Sequence, residues 1–346
     1  MAELETTTRR EPELGKPVFL AALRSALGRA PLWLICSLVA ALPALVAAQP
    51  WFRWYDQAFA HHYAPGSQLA NLDRNFRTDH AVAIERLNDS TASLGAVLAG
   101  LVMLAGAFCA GGWLQVFLER TEGHSVRRFF YGGSRYFWRF ARVLLLTLLL
   151  LHLVGWLIYG TPWKTLVEGF LLGIEKSDLE VLDSERSALM LGWIQDGLYA
   201  FLFALVLAWG LYTRTRLALH GTFSSVWAGL CTIFTILRHP VRSLRPLVLL
   251  LGLEILVLLP LGAFASGVES GFEAGSTTSR VWSLAALSLA ALVWRSIVWG
   301  ASYSATVRVS QAIVPPIARP DPWRNRVGGP GGPQYPIGGD EYGVEL

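Results

Sequence analysis

Six stretches of this chain are apolar over lengths that cross a bilayer, and nothing else in it constrains the fold as tightly. They are residues 31–48, 92–117, 141–159, 193–212, 246–265 and 281–303. A hydrocarbon core offers no water to backbone N–H and C=O groups, so a segment of about 20 apolar residues crosses it as a helix. The sequence therefore predicts an all-α polytopic membrane protein with six transmembrane helices. Composition agrees, since 53% hydrophobic and 16% charged residues suit lipid better than the two soluble domains that 346 residues can hold.

A seventh apolar stretch, residues 222–237, is short for a span and has basic residues on both sides: Arg214 and Arg216 before it, Arg238, Arg242 and Arg245 after it. Matching flanks place both of its ends on one side of the membrane, so it is expected to lie along the surface or dip into it. With the N-terminus placed inside, the inner segments hold 20 basic residues, counting Arg142 at the start of the third span with them, and the outer loops 8. That bias predicts cytoplasmic N- and C-termini. Trp51, Phe52, Trp54 and Tyr55 after the first span, and Trp156, Tyr159 and Trp163 after the third, suit the headgroup layer. Val46-Ala47-Ala48 has the small-residue look of a signal-peptide cleavage site. The long N-terminal lead and Pro43 within the run favour a retained span instead.

Of the 29 basic residues only Lys16, Lys164 and Lys176 are lysines. So strong a preference for arginine is a coding bias of GC-rich bacterial genomes, and the expected location is a bacterial inner membrane. Cys36, Cys109 and Cys231 lie singly in apolar stretches without CxxC spacing, which reads as packing rather than a disulfide or a metal site.

The spans group into three hairpins, each preceded by a basic amphipathic stretch. The first carries Phe19, Leu20, Leu23 and Leu27. The second carries Val126, Phe129, Phe130, Phe137 and Phe140, with Arg128, Arg135, Arg139 and Arg142 alongside. The third carries Phe223, Val226, Trp227, Leu230, Ile233, Phe234 and Leu237. These are expected to be interfacial helices. The domain plan is a disordered cytoplasmic N-terminus (1–16), a six-helix transmembrane domain (17–304) and a Pro/Gly-rich cytoplasmic tail (305–346). In the first outer loop, Ala81 to Leu87 is the segment expected to form a helix, as part of a small cap. The second outer loop holds Glu168, Glu175, Asp178, Glu180, Asp183 and Glu185, a negative outer face.

Gly111-Gly112-Trp113 at the end of span 2, followed by Phe129-Phe130-Tyr131-Gly132-Gly133 and Arg135-Tyr136-Phe137-Trp138-Arg139-Phe140, resembles a loose class of six-span bacterial membrane proteins. It is also similar to the membrane domain that accompanies some glycerophosphodiester phosphodiesterases. No phosphodiesterase domain is present, and the resemblance implies neither an activity nor a functional residue here.

The sequence has no GxSxG, HExxH, Walker A or GxGxxG signature, so an enzyme is not expected and no cofactor or metal is implied. His61, His62, Asp79 and His80 in the first outer loop lack a repeated ligand spacing and read as solvated residues. Glu254 and Arg295 stand out, because ionisable side chains inside spans are costly. Their positions on oppositely directed helices put both about 12 Å from the inner border, where they form a candidate intramembrane polar pair. The pair is either a staple or a substrate or proton site, with His152 and Asp196 as possible companions of the second reading. Arg128, Arg135, Arg139 and Arg142 are candidate contacts for lipid headgroups. Ala92, Ala96 and Gly100, with Gly106 and Ala110 further on, form a line of small residues that lets another helix approach, whether within the chain or in a partner copy. Expected partners are membrane lipids and other membrane proteins or a second copy of the chain, with no nucleic acid. The functional expectation is a non-catalytic membrane scaffold or subunit of a membrane assembly. The alternative is a small-solute or lipid transporter with a polar site around Glu254 and Arg295.

Overall fold

A computed structural model describes residues 18–59, 78, 80–119, 124–171, 185–221, 224–270 and 278–313. The residues 1–17, the histidine pair 61–62, Asp79, most of the acidic second outer loop and the tail from 314 onward lie outside them. Within the described residues the regular structure is helical throughout: α1 Val18–Leu27, α2 Ala30–Phe59, α3 Ala81–Leu118, α4 Ser125–Tyr159, α5 Glu185–His220, α6 Ser225–Arg238, α7 Pro240–Ser270 and α8 Thr278–Ile313. A short helical turn, Thr161–Trp163, runs on from α4 into a π-helical segment, Lys164–Leu171.

Six of these helices, α2, α3, α4, α5, α7 and α8, are long and apolar enough to cross a membrane, whereas α1 and α6 are too short. The most apolar part of each of the six is between 0% and 22% buried within the chain itself. A water-soluble bundle would hide those faces. Here they point outward, as lipid or a protein partner requires. Pro43 and Pro50 in α2, and Pro246 and Pro260 in α7, sit inside helices that remain unbroken, a tolerance common in membrane spans.

Local chemistry sets several helix ends. Gly221 adopts φ 63° and its N–H bonds the Leu217 carbonyl at 3.0 Å, which closes α5 with a left-handed residue that glycine takes without strain. Ser224 then caps α6, its Oγ accepting the Trp227 N–H at 3.2 Å. Pro240 occupies the first position of α7, where its missing N–H costs nothing.

Three sequence expectations change in detail. Ala81 to Leu87 is not a separate cap helix, because it is the first two turns of α3. The second amphipathic stretch is likewise no separate helix. It is continuous with span 3 in the 35-residue α4, and it buries Arg128, Phe129, Tyr136 and Phe140. In α1 the stripe is only half used: Ala22 and Ala26 are fully buried with Phe19 and Leu23 beside them, while Leu20 and Leu27 face outward. Hydrophobic periodicity marks which face is apolar, and it does not say whether protein or lipid will cover it.

The packed core lies toward the arginine-rich ends of the spans. Trp113 is its centre, stacked on Phe117 at 5.4 Å and edge-on to Phe129 at 6.2 Å, with Phe140, Val143, Leu217 and Tyr303 around it. A second cluster packs α1 onto α7 and α8 through Ala22, Ala26, Leu250, Ile297, Ala301 and Ala305. Four of those six are alanines, which let the backbones approach closely where apolar burial gives no driving force against lipid.

Candidate functional site

Among the described residues, paired glycines bring the backbones of α3 and α4 into close approach. A Cβ on Gly111 would stand 2.7 Å from the Gly132 carbonyl oxygen, and one on Gly132 would overlap the Gln115 side chain and reach 2.6 Å from the Gly111 oxygen. Gly112 makes room for the Phe129 ring and Gly133 for the Phe108 ring, each at 2.5–2.6 Å from the absent Cβ. The two glycine pairs that stand out in the sequence thus meet one another. The expected small-residue line does not work this way along its length. Gly106 and Ala110 reach the core, but nothing lies within 4 Å of a Cβ on Gly100, and Ala92 and Ala96 are exposed.

This crossing holds the end of α3 beside the start of α4, and with α1 and the end of α8 it frames a cavity of about 740 Å³. Arg24, Ser25 and Arg29 line it from α1 and the turn after it. Glu119 enters from the end of α3, Ser125 and Arg128 from the first turn of α4, and Ser304, Arg308 and Gln311 from α8. Among the described residues four guanidinium groups therefore share the space with one carboxylate. Arg128 is 2% exposed and its Nε lies 3.4 Å from Glu119 Oε2. The Gln115 side-chain amide donates to the other carboxylate oxygen. Arg29 is fixed in place, since its Nη1 donates to the Ser25 carbonyl at 2.5 Å and to Ser25 Oγ at 2.7 Å, and its guanidinium lies 4.8 Å from the Phe117 ring centre. Burial, and then the nearby Arg308 charge, push the Arg29 pKa down from its ordinary value. Among the described residues the lining carries more positive than negative charge.

Sequence reasoning missed this cavity. Arg24, Arg29 and Arg308 were counted only as positive-inside loop charges, and they lie in segments far apart along the chain. Arg128 was grouped with Arg135, Arg139 and Arg142 on one exposed face, and the structure separates it from them. Arg135 and Arg142 are exposed and Arg139 half-buried, while Arg128 is enclosed. The spacing along α4 is helical as expected. What differs is that α3 covers the first turns of α4, where Arg128 sits.

Glu254 and Arg295 do meet, Arg295 Nε lying 3.9 Å from Glu254 Oε1 on α7 and α8. Their side chains are 22% and 75% exposed, so the pair stands on the outside of the helix pair rather than between helices. Neither the large cavity nor a second one of about 20 Å³ between α5 and α6 reaches it. The two candidate companions lie elsewhere: His152 is exposed on α4, and Asp196 on α5 accepts a 2.7 Å hydrogen bond from the Tyr159 hydroxyl. His80 packs edge-on to Trp54 at 6.1 Å. Among the described residues no group of three or more His, Cys, Asp or Glu side chains is placed to hold a metal. Cys36 and Cys109 are buried free thiols, and Cys231 is a half-buried one.

No family model matches the chain, and neither a curated protein nor a solved structure matches it.

Proposed function

We propose that this chain is a non-catalytic subunit of a membrane assembly, embedded in a bacterial inner membrane with both termini in the cytoplasm. The observation that carries the reading is the Glu254–Arg295 pair. An ion pair inside a span is costly against hydrocarbon, yet this one lies on the outer surface of α7 and α8. Covering by another protein relieves that cost, and so does a second copy of the chain. A transporter built on the same residues needs a water-filled path to them, and the two cavities described lead elsewhere. The six long helices act as three hairpins, α2 with α3, α4 with α5 and α7 with α8. α1 and α6 lie at the cytoplasmic interface. The exposed Trp227, Leu230, Phe234 and Leu237 of α6 suit a helix resting its apolar face in lipid. Arg135, Arg139 and Arg142 contact headgroups on the same side.

The test is the mass of the protein released in native-lipid particles. The particle is expected to contain more protein than one 38.0 kDa chain, and the Glu254→Leu/Arg295→Leu double variant is expected to fall to a single chain. A wild-type particle holding one chain and no other protein would sink the reading.

Orientation has its own check. A cysteine at Val241, 70% exposed at the start of α7, is expected to be shielded from a membrane-impermeant thiol reagent in sealed cells. One at Phe52, 67% exposed near the far end of α2, is expected to be labelled. The reverse pattern would invert the topology.

A further inference from the structure

We propose that the cavity framed by α1, α3, α4 and α8 is a binding site for a phosphate-bearing anion, held by Arg24, Arg29, Arg128 and Arg308. The inference goes beyond the assembly reading and does not depend on it.

The chemistry of the lining carries it. Like charges gathered around one space repel, and the four guanidinium groups that, among the described residues, share this cavity with the Glu119 carboxylate are an arrangement that a bound anion relieves. That carboxylate is already committed to Arg128 and Gln115. All four cations are arginines, whose planar forks bind phosphate oxygens two at a time. Arg29 is pre-positioned by Ser25 and Phe117, so little side-chain freedom is lost when a ligand arrives.

The backbone adds to this independently. Ser125, which lines the cavity, opens a 35-residue helix whose N-terminal residue His124 offers no side-chain cap. The first turn of that helix faces the cavity through Ser125 and Arg128 and brings the positive end of the helix dipole to it. Ser304 and Gln311 supply neutral donors on the opposite wall. A space of about 740 Å³ exceeds a bare phosphate ion and suits a phosphate carried on an organic group. Two sources offer that chemistry: a phospholipid headgroup entering from the bilayer, and a soluble phosphate compound from the aqueous side.

Binding is measured on the purified full-length protein in two arms. One titrates inorganic pyrophosphate into protein in neutral detergent and follows the melting temperature. The other places the protein in nanodiscs of phosphatidylcholine with or without phosphatidic acid and counts retained lipid by native mass spectrometry. Wild type is expected to bind in at least one arm. A response to pyrophosphate identifies a soluble ligand, and selective retention of phosphatidic acid without it identifies a lipid. The Arg24→Gln/Arg308→Gln variant removes two exposed side chains, leaves the packed core untouched, and is expected to bind about tenfold or more weakly. Arg53→Gln/Arg86→Gln removes the same charge from exposed positions on α2 and α3 away from the cavity and is expected to bind as wild type does. Absence of binding in both arms, or equal weakening in the two variants, would overturn the proposal.

Discussion

Gly132→Leu is expected to abolish most of the folded protein, with Gly111→Leu close behind it. At both positions backbone blocks a side chain, the Gly132 oxygen facing Gly111 and the Gly111 oxygen facing Gly132, and at Gly132 the Cβ of Gln115, which a rotamer change cannot move, stands nearer still. α3 and α4 would have to separate, and that opens the core around Trp113, Phe129 and Phe140. Overpacking a close-packed interior typically costs about 1–3 kcal/mol, and moving two backbones apart belongs at or beyond the top of that range. Gly112→Leu and Gly133→Leu meet aromatic rings instead, which can yield, so smaller losses are expected there. Gly100→Leu and Gly262→Leu point into open space and are expected to fold as wild type does. Folded yield by size-exclusion profile in detergent ranks the six. A Gly132→Leu protein that runs with the wild-type profile would show that the crossing does not organise the fold.

The sequence made the six long helices legible because their signal is additive: about 20 apolar residues in a row need no knowledge of what lies beside them. The ends were less legible. Residues 81–87 and 125–140 are too polar to count as span, and with no proline to stop the helix they simply prolong α3 and α4, Gly132 and Gly133 being carried within α4. The Glu254–Arg295 pairing was legible because the two residues are isolated charges in apolar helices of opposite direction, so depth alone placed them together. Their position on the outer surface was not, since the rotation of each helix depends on neighbours such as Leu250 and Ile297, which pack inward. The arginine cavity was the least legible feature. Its walls come from both ends of the chain, and a guanidinium lining a cavity has the same sequence signature as one anchoring a loop in headgroups.

The Glu119–Arg128 pair is expected to be strongly coupled. Arg128 is 2% exposed and Glu119 8%, so neither charge can turn to water if the other is removed. Breaking a buried pair by deleting one partner costs about 3–5 kcal/mol, because it strands an uncompensated charge, whereas replacing both with apolar groups can be nearly neutral. Here the pair also ties the last turn of α3 to the first turn of α4, next to the glycine crossing, so the stranded charge would sit at the joint that aligns both helices. Glu119→Leu and Arg128→Met are each expected to lower the unfolding midpoint in detergent well below that of the Glu119→Leu/Arg128→Met protein. Losses that add to within about 0.5 kcal/mol would mean that the two residues act independently. The same series bears on the cavity. In Glu119→Leu the cavity has lost the Glu119 carboxylate, so pyrophosphate is expected to raise the midpoint of that variant more than it raises the midpoint of wild type. Equal gains would place the bound anion away from Arg128.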